Sequence, residues 1–348
     1  MIYIRVDGNE IIATGHVMRC LAIAEAARKL GEDATFILAD DAMKEVIEEK
    51  RFSTIVINSK WNNLEEEINQ VIHIIKKKNI EILLIDSYYV TRRYLLELKK
   101  HTNIAYIDDL NQCAYPVDLL INYGLYEDRL NYANRYANEG NIPRFLLGAS
   151  YAPLSPQFEA RKRCINNNVK KVMITTGGTD SYGVIDALLD KLRNADLLSD
   201  IEYHIILGKF NLQKQYLINK WYGYKKIIFF ENVKKMSEHM TECDIAITAA
   251  GSTVYELCAC GTPSIVYLVA DNQQENVEAV SKRKLMTYVG DVRQNKSKCI
   301  ESMVDEMLKL SINRDRRIKE SIELQNCVDG RGAIRIMQNI IGLVKKKG

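Results

Sequence analysis

Long apolar runs, an excess of charge of either sign and paired cysteines are all missing from this 348-residue chain. No stretch approaches the ~20 apolar residues that a membrane-spanning helix needs, so no membrane role is expected. The first residues read as a strand and carry neither the basic flank nor the apolar segment of a secretory signal, so the expected location is cytoplasmic. The formal charge of +3 is too small and too evenly spread to argue for nucleic acid. Lys345, Lys346 and Lys347 read as a solvated tail. The eight cysteines, at 20, 113, 164, 243, 258, 260, 299 and 327, show no Cys-x-x-Cys spacing. Reduced, buried thiols are expected, with no zinc site, disulfide framework or other cofactor. Proline is scarce too: there are five, three of them at 143, 153 and 156.

What is present is an ordinary globular composition, 47% apolar and 27% charged. A single core stops growing near ~250–300 residues, so this length implies two domains. In the first, placed at 1–150, apolar strand segments at 2–6, 34–38, 54–57, 82–85, 104–107 and 119–121 alternate with helical patterns. One of these is 64–78, where Ile68, Val71, Ile72 and Ile75 share a face. This spacing is that of βαβ units in a doubly wound parallel sheet. The polar stretch 123–148 and the proline-bearing stretch 146–156 read as a shaped connector. A second α/β domain, 151–348, has strand segments at 170–176, 203–207, 227–230, 245–248 and 264–267. Its tail is helical from 297 and broken at 327–332, and its last helix can return to the first domain.

Within this frame Thr14-Gly15-His16-Val17-Met18-Arg19-Cys20 follows the first strand and its closing Asp7-Gly8-Asn9. Val17, Leu21 and Ala24 recur at helical spacing as far as Gly31, which places His16 on the first turn of a helix at the carboxyl edge of the sheet. Open parallel sheets bind ligands at that edge, and helix N–H groups favour a phosphate there. The same positive field disfavours an imidazolium, which leaves a neutral histidine able to accept a proton. A capping histidine facing solvent is the simpler alternative. Asp86-Ser87-Tyr88 and Asp108-Asp109 close two further strands and, with Asp7 and His16, are expected to face one crevice. Each acid taken singly could be a turn or cap residue.

In the second half, Gly177-Gly178-Thr179-Asp180 follows a strand and lets backbone approach a ligand, although Asp180 could equally be an N-cap. Thr248-Ala249-Ala250-Gly251-Ser252-Thr253 runs from a strand into a helix and suits an anion, and Glu256 lies one turn on, placed to accept from a ribose hydroxyl. The competing reading is an external capping box. Asn272 and Gln273 open a further helix, where amides can bind sugar and phosphate or simply cap.

Several of these stretches together resemble the UDP-sugar hydrolases of pseudaminic acid biosynthesis. They are Arg5-Val6-Asp7, Thr14 to Leu21, Ile107-Asp108-Asp109-Leu110, Leu147-Gly148-Ala149-Ser150-Tyr151-Ala152-Pro153-Leu154, Gly177-Gly178-Thr179-Asp180 and Asp329-Gly330-Arg331-Gly332-Ala333. More distantly, 251–256 is similar to the UDP-N-acetylglucosamine transferases of peptidoglycan synthesis. At 9–13 the chain reads Asn-Glu-Ile-Ile-Ala, where the hydrolases commonly have Ile-Gly before the Gly-His pair. The resemblance implies a glycosyltransferase-B-like architecture: two doubly wound parallel-sheet domains separated by a cleft, the second binding the nucleotide. It implies a metal-independent UDP-sugar hydrolase with His16 as general base. The substrate side would comprise Asp7, Gly15, Arg19, Tyr88, Asp108, Tyr151, Asn272 and Gln273. The nucleotide side would comprise Gly177, Gly178, Thr179, Gly251, Ser252, Thr253 and Glu256. A glycosyltransferase using the same site, and a nucleotide-sugar binding protein without catalysis, are the alternatives.

Overall fold

Ile2, Ile4 and Val6 pack into one apolar cluster and Tyr3 into another, so the first strand is covered on both faces. A strand buried in this way belongs inside a parallel sheet with helices on either side. The computed structural model describes residues 1–9, 11–12, 14–159 and 163–344. The expected Lys345, Lys346 and Lys347 tail therefore lies outside the described residues, as do Glu10 and Ala13 of the 9–13 loop. The chain divides into two units, Met1–Pro156 with Gly330–Gly348, and Gln157–Asp329.

The first unit holds seven parallel strands: β1 (Ile2–Val6), β2 (Ala34–Leu38), β3 (Ser53–Val56), β4 (Ile82–Asp86), β5 (Asn103–Ile107), β6 (Leu119–Asn122) and β7 (Arg144–Leu147). Their order is β3-β2-β1-β4-β5-β6-β7, with Ile4 beside both Phe36 and Leu84. The chain therefore builds outward from β1 in one direction and from β4 in the other. One face carries the helix Gly15–Lys29, which packs against the helix Gly332–Val344 of the same unit. The same C-terminal helix also abuts the backbone at Tyr151 and Ala152, which requires Gly332, because a Cβ there would overlap the Ala152 carbonyl. The other face carries the helices Ile68–Lys78 and Arg92–Lys99.

The second unit holds six parallel strands: β8 (Lys171–Thr175), β9 (Glu202–Leu207), β10 (Ile227–Glu231), β11 (Ile245–Ala249), β12 (Ser264–Leu268) and β13 (Thr287–Asp291). Their order is β10-β9-β8-β11-β12-β13. Here too the direction of winding reverses, between β8 and β11.

Two strands depart from the sequence reading. Arg144–Leu147, expected within a connector, pairs in parallel with β6 as the edge of the first sheet. Thr287–Asp291 forms the edge of the second. Both are short edge strands with only partial burial, so neither carries the continuous apolar run that marks a central strand. Cys20, Cys243, Cys258, Cys260 and Cys299 are buried thiols outside any disulfide. Among the described residues no helix is long and apolar enough to cross a membrane.

Candidate active site

The strand order of the first unit puts its reversal between β1 and β4, and ligands of open α/β sheets bind outside the carboxyl ends of such strands. Beyond β1 the chain turns on Asn9, whose Oδ1 accepts from the backbone N–H groups of Ile11 and Ile12 at 2.9 and 3.0 Å. It then enters the helix at Gly15. Thr14, the N-cap, makes no side-chain cap bond. Gly15 is exposed, and a Cβ on it would meet nothing within 4 Å.

His16 is buried, and its Nδ1 stands 2.7 Å from Asp86 Oδ1, at the end of β4. Asp86 can only accept and stands nearer to Nδ1 than the Arg19 Nη2 donor at 3.0 Å, which assigns the Nδ1 proton to Asp86 and leaves Nε2 as the acceptor of that tautomer. Nε2 has no hydrogen-bond partner among the described residues. Tyr88 sets its ring edge-on to the imidazole, centroids 4.5 Å apart. Tyr89, the next residue, packs instead against Trp61.

Arg19, one helical turn beyond His16, forks onto Asp86 with Nε to Oδ2 at 2.6 Å and Nη2 to Oδ1 at 2.5 Å. Its Nη1 donates to Asp109 Oδ2 at 2.9 Å and to the Tyr123 hydroxyl at 2.7 Å. Burial opposes the charge of Asp86, yet Arg19 and His16 together hold its carboxyl well below the usual carboxylate range. Burial, with Asp109 nearby, pushes the Tyr88 phenol up to about 12.

Asp7 and Asp108, expected to share this crevice, are turned inward. Asp7 accepts from Ala39 N at 2.7 Å and Arg5 Nη1 at 2.6 Å. Asp108 accepts from the N–H groups of Leu110 and Asn111, both at 2.9 Å, and from the Tyr132 hydroxyl at 2.7 Å. Both carboxylates are buried and held by donors of their own unit. Arg19 is likewise committed to carboxylates of its own unit rather than held free for a substrate. Tyr151 packs its ring on the cluster beneath the helix Gly15–Lys29. Asp86, Asp109 and Tyr123 complete the cluster around His16. Of these, the acids were visible only as strand ends.

In the second unit the reversal lies between β8 and β11, and both strands end in the small-residue loops singled out from the sequence. Gly177 has φ +80°, in the left-handed region that favours glycine. The 177–178 loop is braced by the 208–210 turn. Phe210 N donates to Gly178 O at 3.0 Å, and a Cβ on Gly208 would overlap the Gly177 carbonyl. Thr179 is exposed, whereas Asp180 caps the helix Val184–Asn194 through Val184 N at 2.8 Å and Ile185 N at 3.1 Å.

After β11, Gly251, Ser252 and Thr253 lead into the helix Thr253–Cys260. Ser252 is exposed and makes no capping bond, so the capping-box alternative is not what forms. Glu256 is partly buried on that helix and has no hydrogen-bond partner among the described residues. Burial pushes its carboxyl up to about 7. Gln273 accepts from Val269 N at 3.1 Å and borders Gly251, while Asn272 is exposed. Asn276 ties the two loops together, donating to Ala250 O and accepting from the Tyr255 hydroxyl, both at 3.1 Å. Among the described residues no three His, Cys, Asp or Glu side chains are grouped to hold a metal ion.

Two α/β units of seven and six parallel strands define a glycosyltransferase-B architecture. The Acinetobacter baumannii MurG structure matches with a TM-score of 0.67 at 11% identity, covering 99% of this chain and 100% of that one. A Rickettsia africae glycosyltransferase matches with a TM-score of 0.65 at 13% identity, covering 100% and 99%.

Residues 171–328 match the glycosyltransferase family 28 C-terminal domain. Sequence relatives narrow the comparison. A Helicobacter pylori pseudaminic acid cytidylyltransferase and UDP-2,4-diacetamido-2,4,6-trideoxy-β-L-altropyranose hydrolase is 27% identical over 74% of this chain and 42% of its own length. A Campylobacter jejuni UDP-2,4-diacetamido-2,4,6-trideoxy-β-L-altropyranose hydrolase is 25% identical over 80% of this chain and 95% of its own length. An uncharacterised protein of Methanocaldococcus jannaschii is 24% identical over 83% of this chain, which spans 60% of that protein.

Proposed function

We propose that this chain hydrolyses a UDP-linked 2,4-diacetamido-2,4,6-trideoxy sugar at its anomeric carbon, releasing UDP and the free sugar. The observation that carries the reading is the His16–Asp86 pair, 2.7 Å apart at the β1/β4 reversal, with Nε2 left unpartnered. Water attacks the anomeric carbon and gives its proton to Nε2. The new carbon–oxygen bond forms as the bond to the UDP phosphate oxygen breaks, and UDP departs with the electron pair. Asp86 fixes the ring tautomer and stabilises the imidazolium that forms, and Arg19 keeps Asp86 ionised. Tyr88 bounds the sugar beside the imidazole, with Asn272 and Gln273 as further sugar contacts.

On the nucleotide side, backbone N–H groups at Gly177, Gly178 and Gly251 and the hydroxyls of Thr179, Ser252 and Thr253 take the diphosphate. Glu256, with no partner of its own, accepts from the ribose. The relatives whose names give this reaction support the substrate class.

A second reading, transfer of the sugar to an acceptor, is favoured by the family 28 match alone. Incubating the purified protein with the UDP-sugar and no acceptor separates the two. Release of UDP and free sugar supports hydrolysis, and turnover only on adding an acceptor supports transfer.

A further inference from the structure

Close to the His16 site the protein keeps a pair of large aromatic rings incompletely covered. Tyr89 is 40% exposed and Trp61 is partly exposed, and their ring centroids are 5.2 Å apart in an edge-to-face contact. Tyr89 shares the 87–89 turn with Tyr88, so the pair is linked through one residue of chain to the ring that packs on His16.

The loop that carries Trp61 is braced at Asn58 and Ser59. Asn58 adopts φ +54°, and Ser59 N donates to Ala39 O at 3.0 Å. Ser59 Oγ donates to Glu67 at 2.6 Å. Glu67 is fully buried, with Arg5 forked onto it at 2.7 and 2.8 Å and Tyr94 donating at 2.9 Å. Burying an ion pair costs desolvation, and a connecting loop does not need one. Such bracing holds a side chain in place for a ligand.

We propose that Trp61, backed by Tyr89, forms an apolar wall for the methyl-bearing part of the sugar and selects acetamido-deoxy sugars over hydroxyl-rich ones. The proposal rests on the UDP-sugar reading above. A 2,4-diacetamido-2,4,6-trideoxy hexose carries a methyl at C6 and one on each acetamido arm, and keeps a single free ring hydroxyl once O1 is linked. Against UDP-N-acetylglucosamine it gains two methyls, at C6 and on the C4 acetamido arm, and loses two hydroxyls. Aromatic rings gain from contact with methyl groups, whereas a hydroxyl set against them loses its water without a replacement partner.

The chain has two tryptophans. Trp221 is buried in the other unit, with its indole N–H on Asp186 at 3.0 Å, so Trp61 is the one placed to report on the sugar. In a His16→Asn background, where hydrolysis is slow against the time of a titration, the diacetamido-trideoxy sugar nucleotide should change tryptophan emission, while UDP should not. Adding Trp61→Ala should weaken the sugar nucleotide by about 10–100-fold and leave UDP affinity unchanged, and Trp61→Phe should restore most of the loss. Trp61→Ala binding the sugar nucleotide as tightly as its parent, and still more tightly than UDP, overturns the proposal. If Trp61→Ala also loses UDP affinity, Trp61→Phe decides: retained sugar affinity supports the wall and its loss overturns it. A parent that binds the sugar nucleotide no better than UDP, in a protein that releases no free sugar, instead removes the functional reading and this inference with it.

Discussion

His16 Nδ1 and Asp86 Oδ1, separated by seventy residues in sequence, meet at 2.7 Å across the reversal point of the first sheet. The contact assigns the two ring nitrogens different work: one is held by a carboxylate, and the other is free to take a proton.

Asp86→Asn tests that division. The amide keeps the shape but can present its NH₂ to the ring, which favours the tautomer with Nε2 protonated. Turnover should fall by roughly 10²–10⁴-fold with little change in affinity for the UDP-sugar, as steady-state kinetics and calorimetric titration would show. Near-normal turnover in this variant would leave the pair without a catalytic role.

Glu256 offers a test by pH. Burial holds its carboxyl up at about 7. The folded protein thus favours the protonated form, and the associated stability is fully present below the unfolded value near 4.5 and lost as pH rises through about 7. Urea unfolding should show the second unit losing on the order of 2 kcal/mol between pH 5 and pH 8. Glu256→Gln should remove that part of the slope. Ribose hydroxyls donate, so UDP affinity should rise through the same range. Glu256→Gln should weaken UDP by about 10–100-fold at pH 8, from the loss of charge-assisted hydrogen bonds. Unchanged UDP affinity would take Glu256 out of the nucleotide site.

Much of the frame was legible in the sequence, because strands buried on both faces leave continuous β-branched runs. Segments 2–6 and 34–38 coincide with β1 and β2. The edge strands β7 and β13 were not legible, although the opposite edges β3 and β10 were, and neither was strand order, which no single run encodes. Order is what brings Asp86 to His16, while Asp7 turns away to Ala39 and Arg5. At the level of sequence the acids at 7, 86, 108 and 109 look alike, each closing a strand. Their roles are set by which donors surround them: Arg19 for Asp86 and Asp109, backbone N–H groups and Tyr132 for Asp108. The Trp61 loop was missed for the same reason, since Glu67 finds Arg5 only after the sheet has formed.

That buried pair carries its own prediction. Glu67→Ala removes the carboxylate that Arg5, Ser59 and Tyr94 share and leaves Arg5 paired with Asp7 alone. Breaking a buried pair from one side costs about 3–5 kcal/mol, so denaturant unfolding of the first unit should shift by that order. A shift under about 1 kcal/mol, the scale of an exposed ion pair, would mean that the network contributes little.

The most direct measurement is acceptor-free turnover of UDP-2,4-diacetamido-2,4,6-trideoxy-β-L-altropyranose by the unmodified protein and by His16→Asn side by side, with UDP and free sugar quantified together. The account predicts equal amounts of UDP and sugar from the unmodified protein, and a rate lower by roughly 10²–10⁴-fold in His16→Asn at little-changed substrate affinity. No release without an acceptor, or near-normal release by His16→Asn, would contradict it.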